Sequence, residues 1–231
     1  MQAFLVHTPF QRFMAEHLIG HHGDFEAAPN LAIVDHDDVG IDPDRWDEVI
    51  RIEPPLGTRF IGNTRRLRST TGALVGRLRD AGVGRLLLSN LDYPLANGLY
   101  KVFKRRASVA IDCYPEGIVN VLPPRLSVRK RLKNAGKAGY GWLSGWRFDL
   151  MDGDVSTLTQ AERIYTLFPE TLNRFGPRVR PIPPLRPHEG RDLSMHPSPA
   201  RGCLVLGQAP AGFLTERAWI RETRGLVEFA Q

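Results

Sequence analysis

Two short stretches of the chain hold side chains of the kinds that do chemistry. One is His7-Thr8-Pro9-Phe10-Gln11, where an imidazole directly precedes a helix start signal. The other runs from Asp112 through Tyr114-Pro115-Glu116-Gly117 to Asn120 and sets a carboxylate between a proline and a glycine. An imidazole beside the first amides of a helix suits an anion or a substrate contact; a structural histidine fits the same place. Glu116 reads either as a cleft carboxylate or as a solvated turn residue. Asp112, inside a strand, is suited to hydrogen-bond the loop backbone. His21-His22 and Asp35-His36-Asp37-Asp38 suggest a metal, but adjacent residues rarely converge on one ion without distant ligands, so none is expected. Cys113 and Cys203 each lie in an apolar run and give no disulfide or metal framework.

These residues need a scaffold, and the apolar pattern supplies one. Aliphatic runs at Phe4 to His7, Leu31 to Asp35, Glu48 to Ile52, Arg85 to Asn90 and Ser108 to Cys113 alternate with helix-like stretches, which predicts a mostly parallel α/β sheet of Rossmann-like type. Thr8 can cap the first helix, Pro9 can take its first position and Gln11 can close a capping box. Further helices are expected from Thr64 to Ala81, with Leu67, Leu74 and Leu78 on one stripe, and from Leu95 to Arg105. Two more strands follow, at Arg163 to Phe168 and Arg178 to Pro184. Ligands of open parallel sheets bind outside the carboxyl ends of the strands, and the Tyr114 to Asn120 loop begins at such an end.

The Val6 to Gln11 opening, the Asp112 to Asn120 loop, Ile164-Tyr-Thr-Leu-Phe-Pro169 and Leu206-Gly-Gln208 occur in an order and spacing that resembles glycosyltransferase family 52 and its polysialyltransferase relatives. The resemblance covers nearly the whole chain, but only about the first half of such an enzyme. It implies a GT-B arrangement of two Rossmann-like halves, with this chain as the acceptor-side half, and metal-independent, inverting transfer of sialic acid from a CMP-linked donor. It implies Glu116 as the general base toward an acceptor hydroxyl, although Pro115-Glu116-Gly117 stands where acid-acid-glycine is the family pattern. Contacts to substrate are then implied for His7, Thr8, Gln11, Asp112, Gly117 and Asn120. The family's His-Pro and Ser-rich donor motifs belong beyond Leu206-Gly-Gln208, where about twenty residues remain, so the sequence leads one to expect no transferase activity from the isolated chain. Met195-His196-Pro197 precedes that strand and reads as coincidence.

The domain reading that follows is residues 1–187 as the acceptor-side domain, 188–201 as a proline-rich linker and 202–231 as the start of an incomplete donor-binding domain. A length of 231 residues with 42% hydrophobic content supports a real core. The formal charge of +6, with Arg125, Arg129, Lys130, Arg131, Lys133 and Lys137 in one segment near Trp142 and Trp146, favours an anionic partner. A glycan or glycolipid acceptor, the anionic inner-membrane surface and a solvated helix face all fit that segment. Nucleic acid draws on net charge alone and has no reading motif, so it is not expected. The N-terminus lacks the pattern of a signal peptide, and no apolar run reaches the roughly 20 residues of a membrane span, which predicts a cytoplasmic protein, peripheral on the inner membrane where the basic segment engages lipid. A separate C-terminal half is a further expected partner. The rival reading is a non-catalytic α/β domain that binds a glycan or another polypeptide.

Overall fold

In the computed structural model, residues 1–37, 39–53, 56, 62–91, 93–105, 109–115, 128–143, 145 and 154–183 are described. They contain β1 (Gln2–Val6), α1 (Pro9–His21), β2 (Asn30–Val34), β3 (Glu48–Arg51), α2 (Thr64–Asp80), β4 (Arg85–Leu88), α3 (Pro94–Lys104), β5 (Ala110–Cys113), α4 (Val128–Leu143), α5 (Asp154–Gln160), β6 (Ile164–Thr166) and β7 (Val179–Pro181). The seven strands form one sheet in the order β3-β2-β1-β4-β5-β6-β7, and every pairing is parallel. This is the Rossmann-like α/β sheet that the alternation of runs predicts. The linker and second-domain assignments at 188–201 and 202–231 lie outside the described residues.

Buried strands with side chains on both faces need cover on both faces. In β1, Ala3 and Leu5 pack with α2 and α3 residues such as Leu74, Leu78 and Leu99. Phe4 and Val6 point the other way, into a core with Met14, Ala15 and Leu18 of α1. A smaller core on the β6 side joins Cys113, Leu158, Ile164 and Phe175. The α2 stripe extends beyond the predicted leucines to Thr71 and Val75. Each fully buried leucine on such a stripe contributes roughly 1.5–3 kcal/mol.

Local chemistry fixes the element ends. The Thr8 side chain accepts from the Gln11 amide at 3.1 Å and Pro9 opens α1, as predicted. The Gln11 side chain, however, accepts from the His7 amide, one residue before the cap, at 2.7 Å. α2 ends in a Schellman turn, with Gly82 N–H donating to Arg79 O and Val83 N–H to Leu78 O, both at about 3 Å. Gly82 has φ +65°, the left-handed region that disfavours a Cβ. Most strands end earlier than the sequence predicts, β5 at Cys113 excepted: β4 stops at Leu88, and Asn90 already accepts from the Tyr93 amide in the turn into α3. The basic segment is helical as far as Leu143, and α5 is an element that the sequence pattern does not reveal. Among the described residues no helix is long and apolar enough to cross a membrane.

Two glycines of one helix test this description with opposite signs. Gly82→Ala is expected to lower stability by about 1 kcal/mol through the positive φ. Gly72→Ala, on the exposed face of α2 with no atom within 4 Å of the added Cβ, should raise it by roughly 0.5–1 kcal/mol. Urea midpoints read both; equal effects would contradict the assigned turn.

Candidate functional site

The chain runs outward from β1 to β3, then returns through α2 to β4 on the other side of β1. The switch point therefore lies between β1 and β4, the place where ligands of open parallel sheets bind outside the carboxyl ends of the strands. His7 follows β1 directly at this edge. The register Val6↔Val34 makes Asp35 its neighbour across the β1–β2 pair. Tyr93 arrives from the far side of the switch point, in the turn between β4 and α3.

His7 is 6% exposed, and its ring lies against that of Tyr93 with centroids 4.3 Å apart and planes at 40°. Its Nδ1 sits 3.6 Å from Asp35 Oδ2, which is contact rather than a formed hydrogen bond. Asp35 is fully buried, and its other oxygen accepts from the Leu56 amide at 2.6 Å. Among the described residues, His7 Nε2 has no hydrogen-bond partner. Burial, with a smaller contribution from His36, lowers the His7 pKa to about 3. The ring is therefore neutral at ordinary pH and offers one N–H and one lone pair. Asp35, on the Nδ1 side, is placed to compensate any charge that the ring acquires.

Thr8 and Gln11 lie with His7 and act on the strand-to-helix turn: Thr8 caps α1, and the fully buried Gln11 holds the His7 amide. The Tyr93 turn is clamped by Asn97, which donates its amide to Tyr93 O and its side chain to Leu91 O, and by the Leu91 amide donating to Thr157 Oγ1. Asp35 and Tyr93 are site residues that the sequence reading missed. A signal existed for Asp35, because it follows its strand just as His7 follows the preceding one.

Asp112 is not part of this group. The register Phe4↔Leu87↔Asp112 sets it three residues, roughly 10 Å, short of the level of His7 and two strands away. There Arg85 Nε lies 3.3 Å from Oδ2, and the Arg163 amide donates to Oδ1 at 3.1 Å, a backbone bond to the segment before β6 rather than to the loop after Cys113. Burial, partly opposed by Arg85, pushes the Asp112 carboxyl up to about 6. The same network includes Asp24, which accepts from Tyr165 Oη at 2.8 Å and Arg163 Nη1 at 2.9 Å and is held below the usual carboxylate range. His22, one of the paired histidines, accepts from the Asp24 amide and sets its ring edge-on to Tyr165. Cys113 is buried, and its thiol faces the carbonyls of Ser89 and Tyr114.

Glu116, Gly117 and Asn120 lie outside the described residues. The base of their loop is fixed, since Tyr114 is fully buried and its hydroxyl donates to Leu5 O at 2.6 Å. Among the described residues no three His, Cys, Asp or Glu side chains form a group that could hold a metal ion. Neither a protein-family model nor a curated protein matches this chain.

The two perturbed groups act oppositely on stability. His7, with a folded value of about 3 against 6.5, contributes stability that is complete above pH 6.5 and is lost as pH falls toward 3. Asp112, at about 6 against 3.8, contributes most below pH 3.8 and loses it as pH rises through 6. In urea titrations across this range, the stability of His7→Asn should rise with pH less, and that of Asp112→Asn more, than that of the unaltered chain. Curves parallel to that of the unaltered chain would contradict both assignments.

Proposed function

We propose that the chain is the acceptor-side domain of a GT-B glycosyltransferase of sialyltransferase-like type, acting in the synthesis of bacterial surface polysaccharide or lipooligosaccharide. The observation that carries this reading is the Nε2 of a buried, neutral His7 at the switch point of the sheet, which has no hydrogen-bond partner among the described residues. A buried polar atom without a partner costs free energy unless a ligand completes it, and a neutral imidazole can donate to or accept from a sugar hydroxyl. Tyr93 adds an aromatic wall beside it. The order and spacing of the motifs around His7 and Glu116 support the same class.

In this reading an acceptor hydroxyl binds at His7, and Glu116 takes its proton. The freed oxygen attacks the anomeric carbon of CMP-linked sialic acid from the face opposite the leaving phosphate, the bond to CMP breaks, and configuration inverts. CMP leaves as an anion, so the proposed step is written without a metal. The acceptor is a glycan or glycolipid, a donor-binding half is the partner that would hold the donor, and the protein works peripherally at the inner membrane, its basic segment facing anionic lipid.

Saturation-transfer NMR with galactose-ended and sialic-acid-ended oligosaccharides tests acceptor binding. At least one is expected to bind and to perturb the His7 ring, and His7→Ala should weaken it about tenfold, the loss of one good hydrogen bond. Binding of none, or binding indifferent to His7, would overturn the reading. In the enzyme reconstituted with a donor-binding half, Glu116→Gln should keep acceptor binding and lower turnover by roughly 10²–10⁴. Near-normal turnover would assign Glu116 to the turn and pass the proton to the His7–Asp35 pair.

A further inference from the structure

α4 wears its apolar side outward. Val128, Leu132, Trp142 and Leu143 are 74%, 68%, 68% and 78% exposed, among the most exposed large hydrophobic residues described. Together with the exposed Ala135 and Gly139 they recur every three or four residues, so they form one continuous stripe along a single side of the helix. The opposite side is the one that meets the protein: Tyr140 packs against the core under α2 and α3, its hydroxyl accepts from the Gly62 amide at 3.3 Å, and Gly141 is buried. A helix docked on a globular core ordinarily shows the reverse arrangement.

The charge of α4 is equally one-sided. It carries Arg129, Lys130, Arg131, Lys133 and Lys137 and no acidic residue, and no Asp or Glu occurs anywhere from Gly117 to Phe148. Gly136, Gly139 and Gly141 weaken its intrinsic helicity, so its order depends on what it packs against. An apolar stripe on a helix with five basic and no acidic residues, with a tryptophan near its end, matches the boundary between anionic headgroups and acyl chains. It does not match a glycan, which would leave Val128, Leu132 and Leu143 in water.

We infer that α4 is an in-plane membrane anchor whose Val128, Leu132, Trp142 and Leu143 stripe enters the headgroup boundary of an anionic bilayer. This deepens the peripheral-membrane part of the proposed function by naming the surface and adding insertion to charge attraction. Basic residues near anionic lipid and shallow apolar burial act as two signals, and each alone anchors weakly. The stripe lies on α4, away from the His7 edge in sequence and in element, so each is testable without the other.

Flotation of the full chain with phosphatidylcholine vesicles, with and without phosphatidylglycerol, provides the test. Binding is expected only with phosphatidylglycerol, and it should weaken but persist in about 1 M salt, where screening acts within about 3 Å. Leu132→Glu combined with Leu143→Glu should lower vesicle binding by about tenfold or more at either salt concentration, as apolar insertion is lost. Lys133→Gln should lower it less, and only at low salt. All substituted side chains are exposed, and circular dichroism checks the fold. Equal binding to neutral vesicles, abolition by salt together with indifference to the stripe variants, or no vesicle binding would each overturn the inference. A concentration-dependent dimer that the stripe variant abolishes would do so too, by assigning the face to a second copy. Oligosaccharide binding in solution by the stripe variant separates failure of this inference from failure of the glycosyltransferase reading.

Discussion

The bond from the His7 amide to the side-chain oxygen of Gln11, 2.7 Å long and wholly buried, is the constraint on which the carboxyl edge depends. A strand that runs directly into a helix leaves amides at the junction with no ladder partner and no helical partner. Thr8 satisfies one by capping, and Gln11 satisfies the one before it. The turn is thereby held tight, so His7, which follows β1, cannot swing into solvent. Its imidazole stays between Asp35 and Tyr93, dry enough to remain neutral and with one nitrogen unpaired among the described residues.

Polar groups on the two sides of this sheet are treated differently. The Asp24, Arg85, Asp112, Arg163 and Tyr165 network pairs each charge with a partner, and it links β4, β5 and β6 to the segment after α1. Removing one partner of the largely buried Arg85–Asp112 pair is strongly unfavourable, which marks that pair as architecture. At the switch point Asp35 and His7 touch without bonding, and Nε2 faces no acceptor or donor among the described residues.

What was readable in the sequence follows from how local its cause is. Thr8, Pro9 and Gln11 act within one turn, so the α1 start could be read directly, although the partner of Gln11 proved to be His7. The alternation of apolar runs revealed the parallel sheet, because covered strands must be apolar on both faces. The His7–Asp35 contact needed the register of two strands, and Tyr93 needed the knowledge that β4 pairs with β1, neither of which a linear pattern contains. The orientation of α4 was hidden for a related reason: Tyr140 and Trp142 look alike in sequence, yet one packs on the core and the other is exposed. Glu116, the residue to which the resemblance gave the central chemical role, lies outside the described residues, and His7 anchors the candidate site among those described.

The central claim is that His7 is a neutral imidazole whose free nitrogen awaits a substrate hydroxyl. Long-range ¹H–¹⁵N NMR of the histidine rings, followed against pH and then with bound oligosaccharide, measures this directly. The account predicts that His7 stays neutral through the range where ordinary histidines charge near 6.5, taking a proton only toward pH 3, and that its Nε2 resonance shifts when the acceptor binds. A His7 that titrates near 6.5, or an Nε2 resonance unmoved by a bound acceptor, would contradict it.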